Sequence, residues 1–185
     1  MTSGATRILL ISGSTRSGST NTAALRTAQE MAPPGVDTVL DQSLSVLPAF
    51  NPDDDHDPLP APVAALRKEI AAADALLICT PEYAGTLPGS FKNLLDWLVG
   101  GTEIAAKPTA WINVAAPGRG GGAHDTLATV LGYVTADVIT GACRRLPLAR
   151  QAVGPDGEVT DPVFREGVAG ILAEITAYVA SRPAE

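Results

Sequence analysis

Apolar residues fall into two kinds of pattern along this chain, and the two alternate. Short unbroken runs lie at Ile8–Ile11, Thr38–Leu40, Ala75–Cys79 and Ala110–Val114, with a weaker one at Asp137–Thr140. Runs of this length without apolar–polar alternation predict strands covered on both faces. Between them the spacing turns helical. Thr22 to Met31 is rich in alanine and stops before Pro33-Pro34-Gly35, while Val63, Leu66 and Ile70 mark a helix over Val63–Ala73. Phe91, Leu94, Leu95 and Leu98 form a stripe at i, i+3, i+4 and i+7. Ala123 to Tyr133 follows a glycine cluster, and Phe164, Val168, Ile171, Leu172, Ile175, Tyr178 and Val179 make a last amphipathic helix.

Strand followed by helix, five times over, predicts an α/β fold with a parallel sheet, right-handed crossovers and helices on both faces. No internal repeat or linker divides the sequence, so residues 1–185 read as a single domain. The stretch from Ser43 to Pro62 breaks the rhythm. It holds five prolines and the acidic run Asp53–Asp57, and predicts one long excursion over the surface. Oxygen ligands suit Ca²⁺ or Mg²⁺, but the run lacks the EF-hand spacing and its turn glycine, so a solvated loop is the expected reading.

Composition narrows the core and the partners. The chain is 45% hydrophobic but only 4% aromatic, so the core must be built from Ala, Val, Leu and Ile. Net charge is −7, and the thirteen Lys and Arg are spread thinly. Nucleic acid needs clustered cations, and anionic membranes repel an acidic surface, so neither is an expected partner. Cys79 and Cys143 form no CxxC pair and sit in or beside apolar runs, which predicts buried, reduced thiols. The apolar stretch near the N-terminus is too short for a signal peptide, and no run approaches the ~20 residues that span a bilayer. A cytoplasmic enzyme or binding protein is the expectation.

In a parallel sheet the loops after the strands gather at one edge, where ligands bind. The unusual residues lie in those loops. After the first strand comes Ser12–Asn21, with Ser14, Ser19 and Thr20 as hydroxyl donors, Arg16 as a planar cation, and a helix N-terminus behind them. This is the composition of a phosphate cradle, although Ser and Asn here also suit helix capping. It has neither the Lys of a Walker A loop nor the three glycines of G-x-G-x-x-G, so a mononucleotide phosphate is the better match. After the third strand, Thr80–Ser90 places Tyr83 where it can lie against a flat ring or pack on a neighbouring loop. After the fourth, Ala115–His124 carries four glycines in positions 118–122, which suit close approach to a planar ligand or a flexible turn alike. His124, alone at a helix start, is expected at the surface or as a capping residue.

Two motifs in order, Gly13-Ser14-x-Arg16-x-x-Ser19-x-Asn21 and Pro81-Glu82-Tyr83-x-x-x-x-Pro88-Gly89-x-x-Lys92-Asn93-x-x-Asp96-Trp97, resemble those of the NADPH-dependent FMN reductases. The resemblance runs from the first strand to about Leu131. It implies a flavodoxin-like three-layer sandwich with a five-stranded parallel sheet in the order 2-1-3-4-5. It further implies that Ser14, Arg16, Ser19, Asn21 and the amide of Thr20 hold the FMN phosphate. Pro81, Glu82, Tyr83 and Ala84 would line the isoalloxazine and ribityl chain. Gly118, Gly121 and Gly122 match the family's third loop, with Ala116 standing where Ser is usual.

By this resemblance, NADPH or NADH reduces bound FMN, and a small-molecule acceptor (a quinone, azo compound, metal oxyanion or free flavin) takes the electrons in a second step. The chemistry is the cofactor's, so no catalytic side chain or metal ligand is implied. A flavodoxin-like electron carrier without a nicotinamide site is the alternative, and a non-flavin phosphate-binding protein or hydrolase a further one. The resemblance also suggests a homodimer or homotetramer, with Trp97 serving either as an interface anchor or as a core residue.

Overall fold

The computed structural model describes residues 5–183. Its centre is a parallel sheet in the order β2-β1-β3-β4-β5. The strands are β1 (Thr6–Ser12), β2 (Val36–Leu40), β3 (Ala75–Cys79), β4 (Pro108–Asn113) and β5 (Asp137–Val138). A sixth short strand, β6 (Arg144–Arg145), also pairs with β4. Five helices surround the sheet: α1 (Thr20–Glu30), α2 (Ala61–Ala72), α3 (Gly89–Asp96), α4 (Gly121–Tyr133) and α5 (Pro162–Ser181). This is the flavodoxin-like arrangement.

The unbroken apolar runs are explained by burial on both faces. Ile8, Leu10, Leu77 and Cys79 face α1 and α5, whereas Leu9, Ile11, Leu76 and Ile78 face α2, α3 and α4. All five residues of β3 are fully buried. On the α1 side, Ala23, Ala24 and Ala28 supply a small-residue face, which the low aromatic content had implied. Each helix opens two residues ahead of the first residue that its apolar pattern marks. The reason is local: first turns are polar, glycine- or proline-bearing, and are set by caps rather than by the core. Ser19 caps α1 through its hydroxyl, and Asp161 caps α5.

The fifth sheet position departs from expectation. Asp137–Thr140 does not form one strand there. Between the pairs Thr109–Val138 and Ile112–Arg144, β4 advances three residues while the partner segment advances six. The excess is taken up by a turn of 3-10 helix at Thr140–Ala142. Pairing then resumes through β6 and onward, with Leu146 N–H donating to the Asn113 carbonyl (2.9 Å) and Leu148 N–H to that of Val114 (3.0 Å). The restored ladder carries the chain to the same edge as the strand-following loops.

The excursion from Ser43 to Pro62 is fastened as a strap against α2 and α3. Trp97 Nε1 and Asn93 Nδ2 both donate to the Pro48 carbonyl at 2.9 Å, and Phe50 N–H donates to Asn93 Oδ1 at 2.7 Å. Phe50 meets the Trp97 ring edge-on, with centroids 5.0 Å apart. Arg67 ties the acidic run down, its guanidinium bonding both Asp55 (2.7 Å) and the Trp97 carbonyl. Trp97 is fully buried in its own chain, which resolves the choice left open by its sequence position.

Candidate functional site

The loops after β1, β3 and β4 meet at the carboxyl edge of the sheet, and specific contacts lock them together. Gly13 joins the first two: its N–H donates to the Cys79 carbonyl at 2.9 Å, and a Cβ there would lie 2.2 Å from Thr80 Oγ1. In the second loop, Tyr83 and Thr86 exchange two backbone bonds around Ala84 (φ 50°) and Gly85 (φ 77°). Positive φ at both central residues is a type I′ turn, for which Ala84 is a strained choice. The second and third loops touch at Gly122, where a Cβ would come within 2.0 Å of the Gly85 carbonyl oxygen. Glu82 Oε2 accepts the Ala123 N–H at 3.1 Å, capping the first turn of α4. Within the third loop, buried Asn113 accepts from Ala115 N–H (3.0 Å) and donates to the Gly120 carbonyl.

These contacts leave a cleft of about 350 Å³. Thr80, Pro81, Val114, Ala115, Ala116 and Leu148 give it small and mostly apolar walls, with Arg16, Arg119 and Arg150 among its lining. Glu82 is the one acidic lining residue, and its carboxylate faces a helix N-terminus. A chain of net charge −7 thus concentrates positive charge at this opening. Thr20, the first residue of α1, also lines the cleft, and among the described residues its N–H has no acceptor. A free helix-start amide in a cleft lined by three arginines has the character that suits an anion.

One family's sequence model, NADPH-dependent FMN reductase, matches residues 6–145. The chain belongs to this family. It is 42% identical over 120 residues to an NAD(P)H-dependent FMN reductase of Pseudomonas aeruginosa, a match covering 64% of each chain. A quinone reductase of Escherichia coli is 34% identical over 121 residues, again 64% of each. The match thus spans just under two thirds of the length of these relatives. Among solved structures, the flavoenzyme NAD(P)H:(acceptor) oxidoreductase FerB from Paracoccus denitrificans superposes with a TM-score of 0.75 at 28% identity, over 95% of this chain and 97% of that one.

In this member of the FMN reductase family, the residues marked in the sequence are distributed unevenly around the cleft. Arg16, Thr20, Asn21, Pro81, Glu82 and Ala116 line it. Ser14 faces a neighbouring cleft on the far side of the first loop. Ser19 is buried, its oxygen accepting the N–H groups of Asn21 and Thr22. Arg16 bends back to its own loop, donating to the Gly18 carbonyl at 2.8 Å. Asn21 Oδ1 accepts from the Cys79 thiol, so the side chain is turned toward the sheet. Tyr83 and Ala84 are exposed at the tip of the hairpin turn, and Gly118, Gly121 and Gly122 shape the third loop without lining the cleft.

His124 corrects an expectation. It is buried rather than at the surface, and its ring packs on Trp111 with centroids 4.5 Å apart. Its Nδ1 lies 2.7 Å from the Gly120 carbonyl, an acceptor, so Nδ1 carries the proton. Nε2 is then a buried acceptor without a partner among the described residues. Burial holds this imidazole below its ordinary pKa, and Arg145 adds to the effect. Cys79 is fully buried with its thiol pushed far up by desolvation, and half-buried Cys143 is raised to about 11. Neither is a ready nucleophile at neutral pH.

Sequence reasoning passed over Thr80, Val114, Ala115, Arg119, Leu148 and Arg150. Arg119 lay within the quoted glycine cluster, and its charge was the available signal. Leu148 and Arg150 gave none, because only the resumed pairing through β6 brings them to this edge.

Proposed function

We propose that the chain is an FMN-dependent NAD(P)H oxidoreductase, passing electrons from NADPH or NADH through bound FMN to small acceptors such as quinones, azo compounds, metal oxyanions or free flavin. The observation that carries this reading is the pairing, in one cleft, of an anion site with small apolar walls. A phosphorylated planar ring needs both, and the residues present fit FMN.

Arg16 and the amide of Thr20 hold the phosphate, with Ser14 approaching from the loop's other side. The Ser19 oxygen already accepts two amides, so its proton is left to donate to the same group. Pro81, Glu82 and Ala116 line the space for the ring and ribityl chain, while Tyr83, Ala84 and the glycines of the third loop shape the loops that border it. Asn21 orders the cleft floor through its bond to Cys79. Ala116 removes a hydroxyl from this wall and leaves it apolar. Bound FMN supplies the hydride acceptance and electron release, and the protein's part is position and electrostatics. The arginines that line the cleft would supply positive potential to a ring that gains negative charge on reduction.

We read residues 1–185 as one such domain, working in the cytoplasm as a homodimer or homotetramer. The test begins with the visible spectrum of purified protein after adding FMN, which should show bound flavin. Anaerobic mixing with NADPH or NADH should then bleach it; no bleaching with either donor overturns the reading. Steady-state NADPH oxidation with a quinone separates an enzyme from an electron carrier. Light scattering gives the assembly.

A further inference from the structure

A second cleft, of about 260 Å³, lies on the opposite side of the phosphate loop, between α1 and the segment that follows β2. The function proposed above makes no use of most of its lining. Arg16 belongs to both clefts, so the loop forms the wall between them. Arg26 projects from α1, and Asp41 stands immediately after β2. Thr22 and Ser14 add hydroxyls, and Leu44 an apolar surface.

The charges here are incompletely used. Among the described residues the Arg26 side chain, whose Nη1 lies close to Gly157, makes neither a hydrogen bond nor an ion pair, and the Arg16 guanidinium reaches only the Gly18 carbonyl. Asp41 is held in place from both sides. Its N–H donates to the Leu10 carbonyl at 2.9 Å, and its Oδ2 accepts from the Ser43 hydroxyl and N–H at 2.8 and 3.1 Å. Its Oδ1 accepts nothing among the described residues. A half-buried carboxylate with one free oxygen, lining the same cleft as an unpaired arginine, is suited to a ligand carrying both hydroxyls and a phosphate. In doubly wound sheets that carry the dinucleotide glycine fingerprint, which this chain lacks, a carboxylate about twenty residues after the first loop reads a ribose hydroxyl and a nearby arginine takes a ribose phosphate, and Asp41 and Arg26 offer the same two groups.

We propose that this cleft is a second subsite, binding a phosphorylated ribose such as the adenosine half of a dinucleotide. Asp41 accepts from the ribose hydroxyls, Arg26 pairs with the phosphate, and Leu44 borders the base. The inference rests on the reading that the intervening loop holds a flavin phosphate. Two sources share this chemistry: the AMP half of FAD, continuing across the loop from that phosphate, and the AMP half of the nicotinamide donor.

The test is calorimetric titration of the protein, with and without FMN, using adenosine 2′,5′-bisphosphate. Saturable binding is expected in both forms. Arg26→Ala should weaken it about tenfold or more, the scale of a lost charge-assisted bond, with Arg26→Lys recovering part. Asp41→Asn should also weaken it. FMN uptake, read from flavin fluorescence, should be unchanged in the Arg26 variants. If FAD is the source, the wild type binds FAD more tightly than FMN and Arg26→Ala removes the difference. If the donor is the source, Arg26→Ala raises the KM for NADPH and leaves kcat unchanged. Absence of saturable binding, equal binding by Arg26→Ala, or displacement of the bisphosphate by FMN overturns the proposal. Failure to take up FMN, with bisphosphate still bound through Arg26, counts instead against the flavin reading.

Discussion

Glu82 brings a negative charge into a cleft rimmed by arginines, and the geometry shows what it does there. Its carboxylate binds the first turn of α4 through Ala123, so it joins the second loop to the third. Glu82→Ala should destabilise the fold by about 1 kcal/mol, the usual worth of a cap, and loosen FMN binding. Glu82→Gln, which keeps an acceptor oxygen, should fall between; thermal melts and fluorescence titration read both effects. Gly122 is a sharper case. Its missing Cβ is the space occupied by the Gly85 carbonyl, so Gly122→Ala must push two backbones apart. A loss of about 1–3 kcal/mol is expected, together with impaired FMN uptake. At this scale the sequence revealed which loops are unusual, because glycine and hydroxyl content is local. It did not reveal where Ser19, Asn21 and Glu82 direct their side chains. Each satisfies a backbone or thiol group whose position depends on the folded chain.

Among the elements, the strap over 43–60 and its fastenings give meaning to the second half of the long motif. Lys92 and Asp96 form an i, i+4 pair on the helix surface, while Asn93 and Trp97 grip the Pro48 carbonyl. These residues are architectural here and are not among the cleft lining. Arg67 completes the attachment with Asp55, both side chains about nine-tenths buried. Arg67→Ala leaves that carboxylate enclosed and unpaired, and should cost about 3–5 kcal/mol. Urea unfolding measures the loss, and limited proteolysis should show faster cutting within 43–60 than in the wild type. The excursion itself was legible from its prolines. Its anchoring was not, since every anchor lies at least a dozen residues away in sequence.

For the molecule as a whole, pH acts on the balance between folded and unfolded chains. His124 is held neutral by burial, below its ordinary value of 6.5. As pH falls through about 6.5, the unfolded imidazole takes up a proton that the folded one resists. The unfolded state then binds more protons, so stability should decline from neutral pH toward 5 and be insensitive to this group above 7. Urea midpoints across that range should show the slope, and His124→Gln should flatten it. Asp41, raised above 3.8 by burial, contributes in the opposite sense at more acid pH. The order of the sheet was legible through family resemblance, and its parallel character through uninterrupted apolar runs. The split at the fifth position was not, because three surplus residues leave no compositional mark.

That split bears on how the molecule keeps to itself. The outermost strand of a sheet ordinarily presents a row of bare amides and carbonyls on which another chain can polymerise. On the β4 side, this margin is two short strands, Asp137–Val138 and Arg144–Arg145, offset by a helical turn, with the second running on into the pairing of Leu146 and Leu148. The second of them carries two positive charges, and Tyr178 of α5 bonds the Asp137 carboxylate at the first. A strand arriving from another molecule finds the margin broken by a helical turn and interrupted again at Pro147, which has no N–H to offer, and meets charge where it tries. The interruption that sends Leu148 and Arg150 to the cleft thereby also protects the sheet from edge-to-edge aggregation.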